Sequence, residues 1–156
     1  MSDHDRPLSA RGRRDAPRVG RLLRDESLTP GVILTSTATR AAQTAEEVAR
    51  WVTVDRPGGI VRQEPELYLA SAETILDIVR HSGEESPCVM VVGHNPGLEE
   101  LGRHLTRLEP AQSMTIDSFP TAALAKIESP VAAWTDLGWS ATGTLVNLWY
   151  PKELVD

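Results

Sequence analysis

Two short apolar runs each deliver the chain through a polar turn into a helix, and this repeated unit limits the fold more than any other feature. Val32-Ile33-Leu34-Thr35-Ser36 leads into a helix over 37–52 whose buried stripe is Ala41, Ala45, Val48, Ala49 and Val52. Cys88 to Val92, wholly apolar, leads through Gly93-His94-Asn95-Pro96-Gly97 into a helix with Leu98, Leu101, Leu105 and Leu108 on its inner side. A strand that is apolar throughout needs cover on both faces, and helices following such strands supply it. The expected architecture is therefore α/β, a three-layer α/β/α sandwich.

The remaining pattern fits around these units. Ser9 caps a helix that runs to about Asp25, with Ala16, Val19, Leu22 and Leu23 on one face and Pro17 expected to kink or split it. Thr29-Pro30-Gly31 stops that helix. Ile60 to Gln63 reads as a strand, and Ser71 caps a third helix carrying Ile75, Leu76 and Val79 up to Gly83. Ala122 to Ile127 and Thr144 to Trp149 are the last strand candidates, with Trp134 and Trp139 between them read as core and edge-covering residues.

A chain of 156 residues, 40% hydrophobic and 24% charged, suits one domain over 1–156. One cysteine, Cys88, forms no internal disulfide, and the opening residues carry no signal pattern, so the expected setting is cytoplasmic. No apolar run approaches membrane-spanning length. The net charge of -6 conceals a basic opening: residues 1–25 carry seven arginines and four aspartates. Those arginines lie at helical spacing without interleaved aromatic residues and the remainder is acidic, so a solvated helix face is expected rather than nucleic-acid binding.

The two junctions carry the chemistry. In an open α/β sheet the ligand sits beyond the carboxyl ends of the strands, where helix N-termini point. Ser36-Thr37-Ala38-Thr39-Arg40 places hydroxyls and a guanidinium at the first helix start. Arg40 opposes the helix dipole there, and Gln43 and Thr44 offer it no acidic partner. A bound anion would resolve the conflict, and so would a carboxylate distant in sequence. His94, leaving the second strand on a proline-glycine turn, opens onto the same end of the sheet. His81, in the last turn of the third helix, and His104, on the fourth, read as structural. Asp3-His4-Asp5 has no second histidine-carboxylate cluster at ligand spacing, so no metal is expected. There is no phosphate-binding glycine loop, dinucleotide fingerprint or Gly-x-Ser-x-Gly turn, and no cofactor is expected.

These motifs resemble the histidine phosphatase superfamily, and within it the small SixA-type phosphohistidine phosphatases of phosphoglycerate mutase-like fold. Asp3-His4-Asp5-Arg6-Pro7-Leu8-Ser9-x-Arg11-Gly12 is similar to the family's opening helix, and Ser36-x-x-x-Arg40-Ala41-x-Gln43-Thr44-Ala45 to its phosphate-arginine motif. Val91-Val92-Gly93-His94-Asn95-Pro96 resembles its second-histidine motif, and Phe119-Pro120-Thr121-Ala122 with Tyr150-Pro151 its closing strands. The family's first central strand, which ends in Arg-His-Gly or Arg-His-Ala and bears the nucleophile, has no match, so edges on its flanking strands are expected to stand open. The resemblance implies that the full-length family-type protein is a hydrolase, a phosphohistidine phosphatase acting through a phosphohistidine intermediate, with Arg40 and His94 binding the phosphoryl group and stabilising its charge. It implies a phosphorylated protein or small phosphorylated molecule as partner. A general acid would be sought in Gln63-Glu64-Pro65-Glu66-Leu67-Tyr68. Without the nucleophile, the 156 residues as written are expected to be inactive; a non-catalytic phosphate-binding module is the alternative.

Overall fold

The structure is a computed structural model that describes residues 1–52, 56–108, 116 and 119–151. In chain order the elements are α1 (Ala10–Asp25), β1 (Val32–Thr35), α2 (Thr39–Ala49), β2 (Val61–Gln63), α3 (Ala72–Arg80), β3 (Val89–Val92), α4 (Gly97–Leu105), β4 (Leu124–Glu128) and β5 (Thr144–Trp149). β1 lies at the centre of a parallel sheet ordered β2-β1-β3, with Ile33 opposite Val61 and Met90, and Thr35 opposite Gln63 and Val92.

Alternation along β1 sorts the layers. Val32 and Leu34 pack with Leu76 and Val79 of α3 and Leu101 and Leu105 of α4. Ile33 points the other way, onto Val19 and Leu23 of α1 and Ala45 and Val48 of α2. The sheet is thus sandwiched between helix pairs, as the repeated unit required. Ser9 and Ser71 cap α1 and α3, each accepting a backbone N–H three residues on, from Gly12 at 3.1 Å and Thr74 at 3.2 Å.

The sandwich is not closed by one continuous sheet. β4 and β5 form a separate antiparallel pair, and among the described residues no strand pairs with the outer edge of β3. Yet Met90 and Val92 share a cluster with Ala122 and Leu124, while Val89, Val91 and Ile127 join the opposite one. β3 and the β4 region therefore face the same two layers without sharing a ladder among the described residues.

Three sequence expectations need correction. Pro17 does not split α1, which runs unbroken from Ala10 to Asp25 because Gly12, Ala16, Val19 and Leu23 bury one continuous face on both sides of it. α4 ends at Leu105, where the Thr106 hydroxyl donates to the Gly102 carbonyl at 2.8 Å, so Leu108 lies beyond the helix at 72% exposure. Trp139 covers no core: its ring is exposed and stacks on His104 at 3.6 Å, whereas Trp134 packs on the α3 and α4 side and donates to the Ser86 carbonyl. No helix among the described residues is long and apolar enough to cross a membrane.

Candidate active site

The carboxyl ends of β1 and β3 are adjacent because the strands are parallel and in register, so the residues that follow them emerge side by side. Ser36 joins the two turns. Its backbone N–H donates to the Val92 carbonyl at 3.0 Å, and its side-chain oxygen accepts both the Ala38 N–H at 3.1 Å and the His94 ring at 2.8 Å. Ser36 is fully buried, so these bonds are screened from water.

Arg40 and His94, the two residues singled out in the sequence, are brought together: Arg40 Nη2 lies 3.3 Å from His94 Nδ1. A guanidinium only donates, which makes Nδ1 the acceptor and leaves the ring proton on Nε2, facing Ser36 Oγ. Burial first, and Arg40 second, hold the His94 imidazole below its ordinary pKa of 6.5. The neutral form of the ring is thereby favoured.

The counter-charge to Arg40 comes from the start of the chain. Its Nη1 donates to the Asp3 carbonyl at 2.8 Å and its Nη2 to Asp3 Oδ2 at 3.2 Å, while Tyr68 donates its hydroxyl to that same carboxylate oxygen at 2.6 Å. The Tyr68 hydroxyl, with Arg6 and Arg40 beside it, pulls the Asp3 carboxyl down to about 2. Of the two sequence readings of Arg40, the structure shows the second: it has a carboxylate partner 37 residues away. The His4 carbonyl accepts the Thr39 N–H at 2.9 Å, and His4 Nε2 lies 2.8 Å from Thr37 Oγ1. The opening residues thus lie across the N-terminus of α2.

Asp3, His4 and Tyr68 were missed as site residues. Tyr68 stands edge-on to both imidazoles, 4.8 Å from His4 and 5.4 Å from His94 between ring centres. The carboxylates of its segment stay out of the cluster: Glu64 pairs with Arg62 at 3.0 Å, and Glu66 is exposed. The only usable signal for Tyr68 was its place in the segment searched for a general acid. For Asp3 and His4 the local pattern assigned no place beside Arg40 or Tyr68, since the partners that draw them into the cluster lie 33 to 65 residues away. His81 keeps to its helix end, its Nδ1 2.8 Å from the Asp77 carbonyl. No group of three or more metal-binding side chains is present among the described residues.

The arrangement brings a guanidinium and a phenol hydroxyl onto one carboxylate oxygen, with the imidazole against the guanidinium. The sequence model of the histidine phosphatase superfamily (branch 1) matches residues 1–68. An uncharacterized protein of Mycobacterium tuberculosis is 30% identical over 141 residues, covering 88% of this chain and 84% of that one. The provisionally assigned phosphohistidine phosphatase SixA of Nakamurella multipartitia superposes with a TM-score of 0.81 at 28% identity, over 97% of this chain and 88% of the other. Its provisionally assigned counterpart from Agrobacterium tumefaciens gives a TM-score of 0.76 at 27% identity, over 97% and 87%. With that fold, and with the arginine and histidine motifs meeting at the ends of adjacent strands, the chain belongs to the histidine phosphatase superfamily as a SixA-type member.

Proposed function

We propose that residues 1–156 carry the phosphate-binding half of a phosphohistidine phosphatase site. The observation that supports this reading is the Asp3 carboxylate held by Arg40, whose guanidinium also meets His94, so that one anionic group is already accommodated there. Arg40 supplies fixed charge and two donors in one plane, suited to two phosphoryl oxygens. His94 becomes a stronger donor once a dianion raises its proton affinity, so its positive charge develops only with ligand present.

In the family's reaction a histidine displaces the leaving imidazole from phosphorus, and water then takes the phosphoryl group from that histidine. Both steps pass through a transition state with charge on the equatorial oxygens, which is where Arg40 and His94 would act. The leaving nitrogen of a phosphohistidine is protonated more readily than an alkoxide, which suits a site whose carboxyl group beside Arg40, that of Asp3, is held ionised. No apolar strand ending in Arg-His-Gly or Arg-His-Ala is found in these residues, so they are assigned binding without turnover on their own.

The test compares residues 1–156 with the same residues preceded by such a strand, using a phosphohistidine peptide. The extended chain should release phosphate, and Arg40→Ala and His94→Ala should each slow it by about 100-fold or more. Undiminished turnover in both variants overturns the assignment. A phosphate-binding module without catalysis is the second reading, favoured by the seated anion and the unmatched nucleophile; it predicts saturable phosphate binding and no release from either chain.

A further inference from the structure

The Asp3 carboxylate marks a position in space as well as a partner for Arg40, and the third group that reaches it has no role in the reading above. Tyr68 Oη lies 2.6 Å from Asp3 Oδ2, the same oxygen that Arg40 Nη2 meets at 3.2 Å. A neutral donor and a charged one thus converge on one anionic oxygen. The Tyr68 ring stands at 88° to the His94 ring with centres 5.4 Å apart, so the hydroxyl is delivered from the wall facing the imidazole.

The backbone fixes that delivery. Leu67 is 1% exposed and anchors the short turn Pro65–Leu67 in the core, and the Tyr68 N–H closes back on the Pro65 carbonyl at 3.2 Å. Leu69 follows in the left-handed region at φ 51°, turning the chain toward α3. The Ala70 carbonyl then passes so close to Gly97 that a Cβ there would lie 2.1 Å from it. Only glycine at position 97 lets the Tyr68 turn dock against the start of α4, three residues after His94. The backbone that carries the hydroxyl is thus held by packing from both sides.

We propose that Tyr68 is a phosphoryl-binding residue of this site, donating its hydroxyl to the ligand oxygen whose place the Asp3 carboxylate takes. This rests on the reading of Arg40 and His94 as a phosphate cradle and adds a third donor to it. The hydrogen bond to Asp3, together with burial, pushes the phenol above its ordinary pKa, so it remains a donor through neutral and mildly alkaline pH. The carboxylate competes with the ligand for both donors.

Calorimetric titration of the 156-residue chain with inorganic phosphate tests this, using Asp3→Ala, Asp3→Ala with Tyr68→Phe, and Asp3→Ala with Arg40→Ala. Removing the internal carboxylate should tighten phosphate by at least about threefold, because the binding-competent fraction rises. Adding Tyr68→Phe should then weaken it about tenfold, the effect of one hydrogen bond to a charged group, with unchanged circular dichroism and melting temperature. Equal affinity with and without the Tyr68 hydroxyl, while Arg40→Ala still weakens binding, overturns the proposal and leaves the cradle intact. Affinity insensitive to Arg40 as well, or no saturable binding in any variant, overturns the cradle and the proposal together. An Asp3→Ala chain no tighter than the parent shows that carboxylate and ligand do not overlap, which also overturns the placement of the hydroxyl.

Discussion

β1 and β3 are four-residue strands of similar composition, parallel and in register, and each opens into one half of the site; their surroundings differ sharply. All four residues of β1 are buried, with Ile33 and Leu34 at 0% exposure, whereas all four of β3 are only half-buried. Composition cannot account for this, since Val-Met-Val-Val is the more apolar string. Position does: β1 has a partner on each side, while β3 has one partner and one edge without a ladder among the described residues. The two halves of the site therefore stand on unequal foundations, Ser36 and Arg40 after the enclosed strand and His94 after the open one.

Paired truncations test that inequality most directly. Ile33→Ala should cost about 4 kcal/mol in urea unfolding, near the upper part of the range for a fully enclosed aliphatic side chain. Met90→Ala should cost about 2 kcal/mol, because part of that side chain already meets solvent. Equal losses would mean that the outer edge of β3 is covered in solution.

A smaller effect separates the atom that ties the halves together. Ser36→Ala leaves the Ala38 N–H and the His94 ring without their shared acceptor, and should cost about 2 kcal/mol while weakening phosphate binding. A variant that kept its phosphate affinity would show that the His94 ring needs no support from the β1 side.

The mildest probe is pH. The His94 folded-state pKa lies below the unfolded value near 6.5, so the unfolded chain takes up this proton first as pH falls. Its contribution to stability is complete above about 6.5 and is lost as pH drops through the lower folded value. Nuclear magnetic resonance titration of the ring should give a midpoint below 6.5, moving upward when phosphate is added. A midpoint unmoved by phosphate would separate His94 from the ligand and leave the β1 half to bind alone.

How far the sequence carried this picture depended on the range of the interactions. The helix caps at Ser9 and Ser71 and the alternation of Val32, Ile33 and Leu34 are local, so periodicity and capping chemistry located them. The meeting of Arg40 and His94 was legible because each follows an apolar strand, and parallel strands put such positions at one end of a sheet. The end of α4 misled, since the leucine spacing continues to Leu108 while the chain leaves the helix after Leu105. The gathering of Asp3, His4 and Tyr68 rests on contacts 33 to 65 residues apart, which no local pattern specifies. Their contacts depend on the opening residues lying across α2 and on Gly97 admitting the Tyr68 turn, both properties of the assembled fold.

The hydrogen bond from Ser36 N–H to the Val92 carbonyl makes the site a gauge of strand alignment. A slip of β3 by one residue along β1 would carry His94 about 3.3 Å along the strand axis and send Met90 and Val92 to the wrong layer. The distance between guanidinium and imidazole is thus set by how methionine and valine side chains fit between helices remote from any phosphate. Substitutions that loosen that fit should be read first in the chemistry of His94, before the molecule as a whole loses stability.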